Sequence, residues 1–189
     1  MIVRRVASLM AAAVAVGVGL VGVHSASASA SVAAAPRTLY YDASGAAEFK
    51  TNVTQAAAVW NGSVHSVQLK AGSPASITIV AFDGWPYAEP RGLGKGTVHL
   101  GREAVNEGFD RTRITAHELG HILGLPDNRT GRCTDLMSGH SAPTSCTNAH
   151  PSAKEAAQVE RNFGGGFAAA ALPHAFTDCF REVAGAVTA

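Results

Sequence analysis

The residues most able to do chemistry lie together in His117-Glu118-Leu119-Gly120-His121-Ile122-Leu123-Gly124-Leu125-Pro126-Asp127. On a helix, residues four apart rise about 6 Å and project from nearly the same face. His117 and His121 can then reach one metal ion, each at about 2.0–2.1 Å. Glu118 follows the first histidine. It can take a proton from a water on the metal without ligating the metal itself. Gly124 suits the left-handed conformation that ends a helix, and Leu125, before proline, is pushed toward an extended shape. The chain therefore turns sharply and leaves straight, which allows Asp127 to return as third ligand. Three protein ligands keep a fourth position open for water, the pattern of a catalytic rather than a structural zinc. Five fixed residues at this spacing arise by chance on the order of 6 times in 100,000 for a chain of this length. An amphipathic helix whose histidines merely cap or pack leaves Glu118, Gly124 and Asp127 unexplained together. The chemistry implied is hydrolysis by a metal-activated water. A zinc-binding protein without catalysis is the second reading, and it gives Glu118 no task.

Several elements must position this stretch. A helix is expected over residues 112–123, with Asp110 or Thr112 near its start. Phe49, Val53, Ala56, Ala57 and Trp60 recur at intervals of three and four, so residues 46–60 read as an earlier helix. Asn61-Gly62 is expected to stop it. Residues 38–41, 67–69, 77–81 and 97–100 read as short strands. Residues 82–96 read as loop, with Trp85-Pro86, Pro90 and several glycines, and residues 128–151 as irregular. Residues 153–163 read as a closing helix capped by Ser152. The class is α+β: one small domain over residues 37–163, with a short mixed β-sheet, an N-terminal helix, an active-site helix and a C-terminal helix.

The remainder of the 189 residues sets the context. Hydrophobic residues make up 47% and charged residues 15%, enough apolar material for a core. The net charge of +1 gives no basic excess for nucleic acid and no acidic tail. Arg4 and Arg5 precede an apolar run over residues 6–23 and then the small-residue stretch from Ser25 to Ala30. Residues 1–30 read as a secretory signal peptide. A membrane anchor is the alternative, because the run approaches the roughly 20 residues that span a bilayer. Residues 31–36 read as a short pro-segment or linker. Gly164-Gly165-Gly166 opens a Gly/Ala-rich C-terminal extension over residues 164–189, with an amphipathic pattern at Phe176, Phe180 and Val183. Cys133, Cys146 and Cys179 follow the leader. In an oxidising compartment two of them pair. Cys133 and Cys146, near each other in sequence, are the favoured pair, and Cys179 is then free or used between chains.

HELGHILGLPD followed by Leu136-Met137-Ser138-Gly139 resembles the metzincins, zinc proteases with an extended metal motif and a methionine turn beneath the metal. Aspartate as third ligand in so short a chain resembles their snapalysin-type branch of small secreted neutral proteases. The likeness runs from about residue 38 to 163 and includes AAAVWNGSVHSVQL, DRTRITAHELGH and CTDLMSG…SCTN. It implies zinc on His117, His121 and Asp127, with Glu118 catalytic. It further implies a Cys133–Cys146 disulfide, supporting roles for Gly124 and Met137, and a structural calcium at Asp110 and Thr112. A plain helix cap is the other reading of Asp110. The resemblance implies protein or peptide substrates, an aromatic preference just after the cleaved bond, secretion, and a monomer that leaves the membrane once the signal is cut. The strand over residues 97–100 would border the cleft and pair with substrate through free backbone groups. Tyr87 as an oxyanion donor is weighed against simple packing. His65, His99, His140, His150 and His174 lack ligand spacing, and Asn52, Asn61 and Asn128 lie in Asn-x-Ser/Thr triplets.

Overall fold

Alternating burial marks the first strand, Arg37–Asp42 (β1), where Leu39 and Tyr41 turn inward. The computed structural model describes residues 35–164; the expected signal peptide, most of the linker, and the C-terminal extension beyond Gly164 with Cys179 lie outside them. β1 pairs in parallel with Val67–Ala71 (β2) on one side and with Ile77–Phe82 (β3) on the other. Gly96–Gly101 (β5) continues the parallel set beside β3, with Ile79 opposite Val98. Tyr87–Pro90 (β4) closes the sheet antiparallel to β5, in the order β2-β1-β3-β5-β4. Parallel neighbours need a crossover, and Lys50–Ser63 (α1) supplies the one between β1 and β2. Ile77, Ile79, Val98 and Leu100 form the fully buried face.

Two expectations about the sheet are corrected. Residues 82–96 are not all loop, because β4 lies inside them. The strand over residues 97–100 has no free edge for a substrate, because β5 is paired on both sides and β4 is the edge strand on that side of the sheet. Proline cannot donate to a ladder and is tolerated at an edge, so Pro90 fits there. At Gly96, with φ 150°, a Cβ would lie 2.3 Å from the Glu89 carbonyl oxygen, so only glycine lets the two strands close.

The first helix also differs. Ser44–Phe49 is a 3-10 turn kinked at Ala47, and α1 runs past Asn61-Gly62. Asn61 does not break it because its side chain leaves the helix for Leu69, accepting from the backbone N–H at 2.7 Å and donating to the carbonyl at 2.9 Å. The apolar face reads as expected, with Phe49, Val53, Ala56, Ala57 and Trp60 all buried. A short helix unforeseen in the sequence, Arg102–Asn106 (α2), follows β5. Arg111–Ile122 (α3) carries the histidine motif and packs on α1, where Trp60 donates its indole N–H to Ala116 O at 2.9 Å. Leu136–Ser141 is a 3-10 turn, and Ala153–Phe163 (α4) closes the described chain with Ser152 in a capping box. Among the described residues no helix is long and apolar enough to cross a membrane.

Candidate metal centre

α3 begins where Asp110 Oδ1 accepts from the Arg113 N–H at 2.8 Å. From Arg113 to Ile122 every residue is buried, so the two histidines stand in the interior rather than on a wet surface. His117 donates Nδ1–H to Leu136 O at 2.9 Å, and His121 donates Nδ1–H to Leu125 O at 2.8 Å. A carbonyl can only accept, so each neutral ring holds its proton on Nδ1 and presents the Nε2 lone pair. The two Nε2 atoms lie 3.1 Å apart.

Gly124, at φ 89°, turns the chain out of α3, and Asp127 comes back to the imidazoles. Its Oδ1 lies 3.3 Å from His117 Nε2 and 3.7 Å from His121 Nε2. Four ligands at about 2.0–2.1 Å around a tetrahedral ion sit about 3.3–3.4 Å from one another. Asp127 Oδ1 is buried and accepts no hydrogen bond, while Oδ2 faces Arg129 at 3.4 Å. Two neutral imidazoles and one carboxylate, with a buried oxygen left to satisfy, fit a zinc ion. Burial, with His117 close by, holds His121 down to about 3, so it stays neutral and able to ligate. Burial opposes ionisation of Asp127, yet its close neighbours His117, His121 and Arg129 keep its carboxyl below the usual range. Glu118, also fully buried, lies near enough for its charge to favour the protonated form of His117.

The turn beneath α3 is built to close tolerances. A Cβ on Gly120 would lie 2.7 Å from Met137 Sδ and 3.2 Å from Trp60 Cζ2. Asn128 N–H donates to Met137 O at 2.7 Å, tying the segment after Asp127 to the same turn. Cys133 and Cys146 are joined by a disulfide. Arg113, only 2% exposed, donates to the carbonyls of Cys133 at 3.0 Å, Asp135 at 2.8 Å and Asn148. A cavity of 610 Å³ lies between residues 125–132, Met137 and the start of α4.

Not every expected position joins this centre. Asp110 acts as the helix cap, and the Thr112 hydroxyl sits between Asn52 Nδ2 and Gln55 Oε1, each at 2.9 Å. A calcium there gains no support from side-chain geometry. Among the described residues the one group of three His, Cys, Asp or Glu side chains close enough to share a metal is His117, His121 and Asp127. Tyr87 stacks on His99 at 4.2 Å with Phe82 edge-on, which is a packing role. His140, set aside on spacing, lies against Arg129. Arg113, Arg129 and Glu155 escaped the sequence reading. The one signal available was Glu155, three residues after Ser152, the spacing of a capping box.

The profile of the Streptomyces extracellular neutral proteinase (M7) family matches residues 36–166. An "Extracellular small neutral protease" of Streptomyces sp. strain C5 is 42% identical over 142 residues, covering 73% of this chain and 61% of that protein. The protein of the same name from Streptomyces caespitosus is 41% identical over 133 residues, covering 68% of this chain and 98% of that protein. The Streptomyces lividans protein is 40% identical over 142 residues, covering 73% of this chain and 62% of that protein. The match thus spans about three fifths of the C5 and lividans proteins and nearly all of the caespitosus one. Running through every strand of the sheet, the histidine helix and the helix that braces it, this match shows that the chain belongs to the Streptomyces extracellular neutral proteinase (M7) family.

Proposed function

We propose that this chain is a secreted zinc-dependent endopeptidase that cleaves peptide bonds of proteins. The observation that carries the proposal is the triangle of His117 Nε2, His121 Nε2 and Asp127 Oδ1, with sides of 3.1, 3.3 and 3.7 Å. Those separations match neighbouring corners of a zinc tetrahedron. Bound there, zinc would lower the pKa of a water to about 7 and polarise the substrate carbonyl. Glu118 takes up the proton released when the water attacks and delivers it to the leaving amine. Leu136 O and Leu125 O hold the imidazoles in the ligating tautomer throughout. Asp127 brings one negative charge to the metal shell and Arg129 holds its outer oxygen. A substrate strand would lie along the open edge of the sheet, now assigned to β4 rather than β5, and backbone pairing there gives broad specificity.

The names of the relatives support export, as does the leader over residues 1–30. In this reading the mature enzyme is a monomeric protease domain over residues 37–163 with an extension after Gly164. An aromatic residue after the cleaved bond is the preference carried by the resemblance, and matched peptides differing only there test it. A calcium at Asp110 and Thr112 rests on the resemblance alone, and calorimetric titration with calcium is its test.

The central experiment combines metal analysis of secreted protein with casein hydrolysis. One zinc per chain, activity abolished by a chelator and restored by zinc, and loss of about 10²-fold or more in Glu118→Gln with zinc retained are expected. Zinc-loaded wild type without hydrolysis would make it a binding protein instead.

A further inference from the structure

Glu155, near the start of α4, is 7% exposed, and its carboxylate accepts four hydrogen bonds. Two come from its own helix start, Ser152 N–H at 2.6 Å and Ser152 Oγ at 2.9 Å. The bond from the Ser152 N–H is ordinary capping-box geometry, and the one from the hydroxyl stays within the same cap. The other two come from the turn under the candidate metal: Leu136 N–H at 3.1 Å to Oε2 and Met137 N–H at 2.8 Å to Oε1. A cap does not require those bonds.

Those two N–H groups belong to consecutive peptides, and the far end of each peptide has a partner. In the Asp135–Leu136 peptide, the carbonyl accepts from buried Arg113. In the Leu136–Met137 peptide, the carbonyl accepts from His117 Nδ1. A single amide therefore joins a buried anion to a ligand imidazole. An anion at an amide N–H polarises that amide and makes its oxygen a stronger acceptor. A stronger acceptor at Nδ1–H makes the opposite nitrogen a better metal donor and fixes the ring. His121 is treated differently. Its acceptor, Leu125 O, belongs to the peptide bond to Pro126, which has no N–H for an anion to hold.

We infer that Glu155 is a positioning residue for the metal centre, acting on His117 through the Leu136–Met137 peptide as a carboxylate acts on a zinc-ligating histidine it touches directly. The inference rests on the zinc reading above. It makes the two histidines unequal ligands: His117 is backed by a buried charge and His121 by a neutral carbonyl. It also explains why Arg113 and Glu155 are both buried. One holds the turn by its carbonyls and the other by its N–H groups, so the turn is gripped between opposite charges.

The test measures zinc affinity by competition with a chromophoric chelator, using the full mature chain. Glu155→Gln is expected to weaken zinc binding by about 10- to 100-fold, the range for lost partners of metal ligands. Ser152→Ala is the control. It removes a hydroxyl from the helix cap but leaves both turn N–H bonds, so it should lower the melting temperature and leave zinc affinity unchanged. Cobalt-loaded protein gives a readout that helix stability does not move: the visible d–d bands should shift in Glu155→Gln and not in Ser152→Ala. Glu155→Gln with wild-type zinc affinity and cobalt spectrum overturns the inference, as does equal weakening by Ser152→Ala. If Glu155→Gln does not fold, amide NMR of the wild type decides. Zinc loading should move the Met137 N–H resonance more than that of Leu136, and an unmoved Met137 N–H overturns the relay. Wild type that binds no zinc refutes the metal reading itself, a failure distinct from that of the relay.

Discussion

Gly120 stands between His117 and His121 on α3, and Met137 dictates its size. A methyl group there would lie inside contact distance of Met137 Sδ and press on Trp60. Two effects compete in Gly120→Ala. Alanine gains about 1 kcal/mol over glycine inside a helix, while overpacking a tight core costs about 1–3 kcal/mol. The clash wins, because the Met137 and Trp60 side chains it strikes are both buried in the packed core. A net loss of about 1 kcal/mol in urea unfolding is expected. A variant as stable as wild type would show that Met137 moves aside freely.

At the scale of elements, α4 braces the centre from behind. Asn162 Nδ2 donates to Leu123 O at 2.9 Å and Gly124 O at 3.4 Å, closing the C-terminal end of α3 where the chain must turn toward Asp127. Asn162→Ala leaves those carbonyls without that donor and should cost about 1 kcal/mol, read as a lower midpoint in denaturant. Glu160, on the same helix, accepts from the N–H groups of His65 and Ser66 ahead of β2. Burial pushes its carboxyl up, but these two donors outweigh burial and leave it below its ordinary 4.5. A depressed folded value means the stabilisation is complete above the unfolded value. It fades as the pH falls below 4.5 and through the folded value. Glu160→Gln should therefore flatten the acid limb of a stability–pH curve, with stability lower than wild type near pH 7 and the two curves converging in acid.

How much of this could be read from the chain depends on what each residue bonds to. The histidine helix and the apolar face of α1 were legible because both follow a 3.6-residue period that burial enforces. Gly124 and Asp127 were legible because local backbone rules bend the chain there. β4 was not, since four residues ending in Pro90 show no strand pattern alone and exist only by pairing with β5. Arg113 and Glu155 were hidden for another reason. They serve backbone groups 18 to 35 positions away, and a backbone group has no letter in the sequence.

For the described domain as a whole, two closures hold the metal side together. The Cys133–Cys146 bridge spans 13 positions, and in the chain-entropy model a loop of that size contributes about 3 kcal/mol. Replacing both cysteines with serine should lower unfolding stability by about that amount. Zinc should raise the stability of the bridged and the unbridged protein alike, since a ligand that binds only the folded state stabilises either one. An unfolding midpoint that zinc leaves unmoved in both proteins would mean the ion does not stabilise the fold. The second closure is the pair of carbonyls that aim the imidazoles. Leu136 O and Leu125 O orient both rings whatever lies between them. The receptor is therefore in register before any ion arrives, and only the short Asp127 arm has to adjust. Uptake should then be a one-step encounter, first order in each reactant. Its speed should be governed by how fast the incoming ion sheds its water rather than by any refolding of the protein. Uptake followed in time should then show a single phase with no lag.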